Sequence, residues 1–318
     1  MPRSVIRRAA DADYREPGGL IPGARGITRW RLVGEADGAA HTDAGLLRIA
    51  ADADSATHVH SFEYSFHVIQ GEAVLATPEA TVRLTAGDYG VVPIGVPHRW
   101  SGSGDAPALI ADLITPPARA RAGEDTFAVP DLPRVEPAPV DPRDPRTRSF
   151  GSVDPAQLDP ARQSQELLAV SASMRTALLV YSGISLKMMV DSDLGATLGT
   201  MFMVQYEPDG KAGAHDHPLE EAYLVLDGEV LATFDGEEVL LGPGDFAWAG
   251  VGCVHSFAAT GAPVRWLETQ APQMPPRHAY RFARDWDYLR DALAAGAGAG
   301  ARSGTGSDTG APADGSGA

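Results

Sequence analysis

Three histidines and a set of glycines occur twice in this chain, with a constant offset of 157 residues between the copies. The matched positions are His58 and His215, His60 and His217, Gly71 and Gly228, Gly87-Asp88 and Gly244-Asp245, Gly95 and Gly252, and His98 and His255. A fixed offset across so many positions indicates two copies of one structural unit. Because imidazole is the commonest metal ligand among side chains, each copy is a candidate metal site.

The second copy carries a full set of donor groups for a transition metal. On an extended strand, His215 and His217 project from one face, because side chains alternate with a period of two. Glu221 follows near the start of the next strand, and His255 lies at the end of a glycine-rich hairpin. Three imidazoles and one carboxylate suit Mn²⁺, Fe²⁺, Ni²⁺, Cu²⁺ or Zn²⁺ but are too rich in nitrogen for Ca²⁺ or Mg²⁺. Four protein ligands would leave an octahedral ion two open positions for substrate, water or O₂.

The first copy differs at the carboxylate position, where Tyr64 replaces Glu221. A neutral phenol has a pKa of about 10 and is a poor ligand at pH 7. Glu63 is one residue away from the ligand position, so strand alternation turns it to the other face. The first site therefore consists of His58, His60 and His98, with Tyr64. It is either a degenerate pocket or a three-histidine metal site, and the sequence leaves both open.

Three further residues are candidates for binding a substrate. Tyr223 has the same strand parity as Glu221, and Gln205 has matched parity on the strand before His215. Arg265 either clamps a substrate carboxylate with two parallel hydrogen bonds or lies on the surface. We interpret the other residues near the motifs as structural. Cys253 is predicted to be a small buried hydrophobic residue, and His67 and His278 are predicted to be packed or surface residues.

To position these groups, the chain needs two β-rich units. Short runs of β-formers punctuated by glycine predict strands in both halves, with prolines crowded between them. The predicted order is an N-terminal arm (1–25), an N-terminal domain (26–115), a proline-rich linker (116–164), a C-terminal domain (165–278), a closing helix (279–294) and a low-complexity, disordered tail (295–318).

Bulk composition limits the partners. The chain has 318 residues, enough for two domains, and a formal net charge of −16, which disfavours nucleic acid and anionic membranes as partners. We find no run of about 18 apolar residues that would span a membrane, and we expect no signal peptide. The only cysteine, Cys253, forms no intramolecular disulfide, which fits a reducing cytoplasm. We therefore expect a cytoplasmic protein with a small-molecule substrate, either monomeric or a homo-oligomer.

The motif sequences resemble those of the cupin superfamily. The run from His215 to Gly228 is similar to the first cupin motif, and the run from Gly244 to His255 is similar to the second, with Gly250 in place of the usual proline. This resemblance implies an all-β bicupin, with two tandem jelly-roll (double-stranded β-helix) barrels, a proline-rich linker and a short C-terminal helix. It does not fix the reaction, since cupins include enzymes of several classes and binding modules.

Within bicupins, the layout most resembles the (S)-ureidoglycine aminohydrolase group, in which the first cupin lacks a full ligand set and the second holds Mn²⁺. The ligands of that group are Glu, His, His and Gln, whereas this chain offers His215, His217, Glu221 and His255. The resemblance implies a metal-dependent enzyme acting on a small polar metabolite, with Mn or Fe as the favoured metal. The alternatives are an Fe²⁺-dependent cupin dioxygenase and a non-catalytic small-molecule-binding bicupin.

Overall fold

The computed structural model describes residues 3–141, 144–154, 158–159 and 181–274. These residues are nearly all β-structure, and their helical elements are short 3-10 turns, which confirms the all-β prediction. Almost all of them belong to one compact unit, formed by residues 1–142 and 146–277. The other unit, 143–145 and 278–318, contains the predicted closing helix and tail, which lie outside the described residues. No helix in the described ranges is long and apolar enough to cross a membrane.

The N-terminal barrel is a ten-stranded sheet. Its strands are β2 (Arg25–Val33), β3 (Asp43–Asp54), β5 (Glu63–Gln70), β6 (Glu72–Ala76), β7 (Thr81–Thr85), β8 (Asp88–Val92), β9 (Arg99–Gly102), β10 (Ala108–Thr115), β12 (Ala138–Pro139) and β13 (Phe150–Ser152), and a separate pair is formed by β4 (His58–His60) and β11 (Thr126–Ala128). The 3-10 turns span Ala9–Asp11, Gly18–Leu20, Glu35–Asp37, Ala120–Asp125 and Pro145–Thr147.

The C-terminal barrel is a nine-stranded sheet that repeats this arrangement. Its strands are β1 (Ser4–Arg7), β14 (Tyr181–Val190), β15 (Thr200–His215), β16 (Glu220–Asp227), β17 (Val230–Phe234), β18 (Glu237–Leu241), β19 (Phe246–Ala249), β20 (His255–Ala259) and β21 (Val264–Ala271). In both barrels the last strand lies beside the strand that follows the histidine pair: β10 pairs with β5, and β21 pairs with β16.

The N-terminal arm and the linker are more regular than the sequence predicted. β1 pairs antiparallel with β19 of the C-terminal sheet, so the arm is held in the distant barrel instead of lying loose. The linker contributes three short strands to the N-terminal half: β11 pairs with β4, β12 with β7, and β13 with β8. The physical reason is that edge strands expose unpaired backbone groups, which these segments satisfy.

The two barrels share one apolar core and a reciprocal pair of carboxylate contacts. Buried side chains of both halves form a single cluster that includes Leu113 and Leu267. Glu63 accepts hydrogen bonds from the backbone N–H groups of residues 197–199, at 2.7 Å for the Thr197 nitrogen. Glu220, the equivalent residue in the second copy, accepts from the N–H groups of residues 40 and 41, at 2.7 and 3.1 Å. We call this pair of contacts the glutamate clamp. Glu63 therefore points away from its own histidine cluster, as alternation requires.

His67 gives the fold a pH dependence that can be measured. The ring is buried on β5, and Nδ1 has no hydrogen-bond partner. Burial, assisted by the positive charge of Arg265, lowers the pKa of His67 to about 4. Between pH 6.5 and pH 4 the unfolded chain therefore binds a proton that the folded chain does not, so stability is full above pH 6.5 and is lost as pH falls.

Accordingly, we expect wild type to lose roughly 2 kcal/mol more than His67→Gln in free energy of unfolding when the pH falls from 7 to 5. Urea denaturation of both proteins at the two pH values, in the presence of a chelator, measures the difference. Equal losses in the two proteins would show that His67 titrates normally in the folded state.

Candidate metal centre

The C-terminal barrel brings the predicted ligands together. His215 ends β15, His255 begins β20, and the two residues are paired across the strands. Their ring nitrogens and those of His217 can offer ligand atoms that all lie within 4.8 Å of one another. The Nδ1 atoms of His215 and His255 lie 2.6 and 2.9 Å from the carbonyl oxygens of Gly213 and Cys253. With the proton on Nδ1 donated to those carbonyls, Nε2 of each ring presents its lone pair to the centre.

Glu221 supplies the oxygen donor. Its Oε2 lies 3.0 Å from Nε2 of His255, and its Oε1 lies 3.4 Å from Nε2 of His217. The side chain is held from behind by two donors, the Tyr223 hydroxyl at 2.5 Å and the Gln270 amide at 2.6 Å. Burial opposes ionisation, but the neighbouring histidines and Tyr223 lower the pKa of Glu221 below its usual range. Glu221 is therefore a carboxylate at neutral pH, and its orientation is fixed.

The donor set fits a divalent transition ion. Nε2 of His255 is buried and has no well-aligned hydrogen-bond partner in the described residues, despite its short distance to Glu221. A buried nitrogen of this kind requires an explanation, and a metal ion at the common centre of the four side chains provides one. Burial disfavours the imidazolium, yet Glu221 raises the pKa of His255, so proton and metal would compete for the same nitrogen.

The N-terminal barrel contains a second, more deeply buried histidine cluster. His58, His60 and His98 also present ligand atoms within 4.8 Å of one another. Their Nδ1 atoms lie 2.8, 2.9 and 3.0 Å from Ala56 O, Thr126 Oγ1 and Val96 O respectively. Nε2 of His58 and of His98 is buried without a hydrogen-bond partner. Burial lowers the pKa of all three rings, to about 3 for His98, so the cluster consists of neutral imidazoles.

Tyr64 takes no part in that cluster through its oxygen. Its hydroxyl donates to Oδ2 of Asp112 at 3.4 Å. Burial and the nearby Asp112 raise the pKa of Tyr64 well above its usual range, so the phenol stays neutral. Three nitrogens without a carboxylate make the N-terminal cluster a poorer donor set than the C-terminal one, and we predict that it is the weaker or empty of the two metal sites.

The last strands of the two barrels align with an offset of 156, one residue less than the motifs. Ile114 lies opposite Tyr64, and Gln270 lies opposite Glu221. Asp112 in the first barrel therefore corresponds to Glu268 in the second. The sequence comparison at a fixed offset of 157 missed both Gln270 and Glu268. A signal was present, because Pro107 and Pro263, which lie next to the glycines of the two copies, are also 156 residues apart.

The two equivalent acids have opposite surroundings. Asp112 receives two hydrogen bonds from Arg29, from Nε at 2.8 Å and from Nη2 at 2.6 Å, and Arg29 also contacts Asp43 at 2.9 Å. Gly45 makes room for the guanidinium, since a Cβ there would lie 2.6 Å from Arg29 Cζ. In the second barrel the equivalent positions are Leu186 and Phe202, as the strand registers show. Glu268 has no such arginine.

Glu268 lies inside the C-terminal barrel without a lysine or arginine partner among the described residues. Its Oε2 accepts a hydrogen bond from the Trp266 indole nitrogen at 3.0 Å. Burial, together with the negative charge of Glu221, raises the pKa of Glu268 well above its usual range, although the Trp266 contact opposes this shift. The pKa shifts of the two glutamates therefore have opposite directions.

Of the three predicted substrate contacts, one is placed as expected. Tyr223 faces the interior and donates to Glu221. Gln205 and Arg265 lie opposite each other on β15 and β21, on the face opposite to Trp266, Glu268 and Gln270. The inward orientation predicted for them is wrong. The cause is an irregularity of β15, where Ala212 pairs with Phe257 but His215 pairs with His255, so one extra residue reverses the parity.

Two minor interpretations also concern this region. Cys253 is buried, and burial, with Asp235 nearby, raises the pKa of its thiol to about 11, so the residue stays protonated and packs with the barrel core. His278 lies outside the described residues.

Two tandem jelly-roll barrels with histidine clusters at equivalent positions define a double-barrel protein with a metal-binding type of site. The family model described as Cupin domain matches residues 45–114 and 202–269, one match in each barrel. The chain therefore contains two tandem cupin domains, which is the bicupin arrangement. No curated protein sequence matches the chain significantly.

Solved structures share the fold over most of the chain. A glyoxylate-induced protein from Pseudomonas aeruginosa has a TM-score of 0.59 at 14% identity, and the match covers 88% of this chain and 92% of that one. An oxalate decarboxylase from Lactobacillus farciminis has 0.55 at 15%, covering 85% and 86%. A salicylate 1,2-dioxygenase from Pseudoaminobacter salicylatoxidans has 0.51 at 16%, covering 73% and 69%. At these identities the likeness shows the fold alone.

The ligand assignment can be tested by a pair of matched double variants. We expect His215→Ala/His217→Ala to reduce the metal content of the purified protein close to zero, because it removes two of four donors, while the circular dichroism spectrum stays unchanged. His58→Ala/His60→Ala, its counterpart in the first barrel, should keep the metal. Elemental analysis by mass spectrometry measures both, and an unchanged metal content in the first variant would refute the assignment.

The missing carboxylate of the N-terminal barrel gives a second prediction. We expect Tyr64→Glu to increase metal affinity or stoichiometry, because an ionised side chain would replace a neutral phenol opposite the three imidazoles. Tyr64→Phe is the matched control and should leave both values unchanged. Titration of chelator-treated protein with Mn²⁺ or Zn²⁺ gives the number of sites, and two tight sites in wild type would contradict the prediction.

Proposed function

We propose that this bicupin is a metal-dependent enzyme that acts on a small polar metabolite in its C-terminal barrel. The observation that carries the proposal is the set of three imidazoles around an ionised, doubly hydrogen-bonded Glu221. A purely structural histidine cluster would not need a carboxylate fixed by two donors. The first barrel has Tyr64 in place of this carboxylate. Its buried acid, Asp112, is paired with Arg29.

The chain's own residues would provide binding and orientation. His215, His217, Glu221 and His255 would hold a divalent ion, with Mn or Fe favoured, and the ion would supply Lewis-acid chemistry toward a bound substrate. Tyr223 and Gln270 keep Glu221 in a single orientation. The backbone carbonyls that accept from Nδ1 of two histidines fix their ring tautomers.

We favour a hydrolase of the ureidoglycine-aminohydrolase type, on the resemblance of the domain layout. A second candidate is an Fe²⁺-dependent dioxygenase, and the observation that favours it is the three-nitrogen, one-oxygen donor set. A salicylate 1,2-dioxygenase is among the structures that share the fold. A third possibility is a bicupin that binds a small molecule without transforming it.

Two assays on one preparation separate these functions. Chelator-treated protein is reloaded with Mn²⁺ or with Fe²⁺, and each form is tested for ammonia release from (S)-ureidoglycine and other small amides, and for oxygen uptake with small phenols and hydroxy acids. We expect turnover that requires the metal and is absent in His215→Ala/His217→Ala. Ammonia release supports the hydrolase, and oxygen uptake supports the dioxygenase. A protein that binds these compounds without turnover would contradict the enzyme proposal.

A further inference from the structure

The interior of the C-terminal barrel has three imidazoles, two carboxyl groups and an amide, but no lysine or arginine side chain in the part of the chain that the structure describes. Residues 181–274 contain three lysine or arginine residues, namely Lys187, Lys211 and Arg265. Arg7 of β1, the remaining strand of this sheet, lies opposite Phe246 of the core between the barrels and pairs with Asp37. Lys187 lies opposite Met203, which packs in the core between the barrels, and Lys211 is exposed. Arg265 faces away from the interior and lies 3.8 Å from Asp227.

Because no lysine or arginine faces this interior, Glu268 has no such side chain as a charged partner among the described residues. It shares a face of β21 with Trp266, which packs in the barrel core, and with Gln270, which contacts Glu221. Within the described residues its one hydrogen bond is the Trp266 contact to Oε2, so Oε1 receives none. The residue is partly exposed although it lies on the inward face of β21, so solvent reaches it.

The N-terminal barrel shows how the same position is satisfied when the protein supplies the countercharge. There Arg29 neutralises Asp112 within a fully buried cluster. In the C-terminal barrel, Leu186 occupies the position of the arginine, and Phe202 fills the space that Gly45 leaves open. An acid in a largely apolar interior without a partner is destabilising. Leu186 in place of an arginine therefore lowers the stability of this barrel unless a group from outside the protein pairs with Glu268.

We propose that the substrate provides this partner: Glu268 binds an ammonium or other N–H donor group of a small molecule whose opposite end coordinates the metal. The substrate class is thus a compact, metal-chelating molecule with an amino or similar donor group at its far end. A dicarboxylate does not fit, because its second carboxylate would meet Glu268 with no described cation nearby. The inference rests on the proposed metal site and names the substrate class that site would accept.

Three chelators of equal length test the preference directly. 3-Aminopropanohydroxamate, butanohydroxamate and succinomonohydroxamate share one metal-binding group and end in an ammonium, a methyl and a carboxylate. Their dissociation constants are measured by calorimetry on Mn²⁺- or Zn²⁺-loaded protein, with metal content determined on the same samples. We expect the ammonium compound to bind at least about tenfold more tightly than the carboxylate compound. In Glu268→Gln, which keeps the shape and removes the acid, that ratio should fall by about tenfold.

The matched control is Glu238→Gln, which makes the same change of charge at an exposed position of β18 and should keep the wild-type ratio. Equal binding of the three chelators to metal-loaded protein, or a ratio that Glu268→Gln does not alter, would overturn the substrate class and leave the metal site standing. Failure of the protein to hold metal, or of every chelator to bind the loaded protein, would overturn the proposed function together with this inference.

Discussion

Strand alternation at Glu220 and Glu221 is the constraint on which the rest of this molecule depends. These neighbours on β16 point to opposite faces, so Glu221 enters the histidine cluster while Glu220 reaches the backbone of the other barrel. A slip of one residue would bring Leu219 to the interface position or Ala222 to the site position, and would therefore remove either the acceptor from the interface or the carboxylate from the site. Pairing of β16 with β19 and β21 fixes the register. The register of one strand therefore sets both the site and the contact between the barrels.

The two barrels keep the same backbone plan but treat buried charge differently. In the N-terminal barrel, the arginine cluster around Asp112 is complete within the protein, and the three histidines are neutral and buried. In the C-terminal barrel, Glu268 has no lysine or arginine partner among the described residues, and the His217 side chain is 29% exposed. Buried ion pairs contribute little net stability but are costly to break. The buried acid of the N-terminal barrel is thus paired within the protein, whereas Glu268 of the C-terminal barrel has no charged partner of this kind among the described residues.

The sequence was sufficient to predict the fold class and the four residues of the C-terminal cluster. Those predictions used the spacing within motifs, which is local and survives irregularities elsewhere. Gln205 and Arg265 were predicted to face inward by counting along strands, and the extra residue before His215 reversed that count. Glu268 and Gln270 were missed for a similar reason, since the hairpin before β21 is one residue shorter than its counterpart. Pairing of β1 with a sheet more than 200 residues away could not be predicted, because short edge strands carry no strong pattern.

The glutamate clamp has a consequence for the origin of the chain. Its two contacts are reciprocal: the same residue of each barrel holds the same stretch of backbone in the other, which is the geometry of an isologous two-fold interface. A single barrel with this surface would be self-complementary and would close as a homodimer without leaving an unsatisfied patch. Joining two such protomers in one polypeptide frees each copy to diverge, since an arginine acquired at position 29 no longer has to appear at position 186 as well. A homodimer of identical chains could not have two different interiors, whereas a covalently linked pair can.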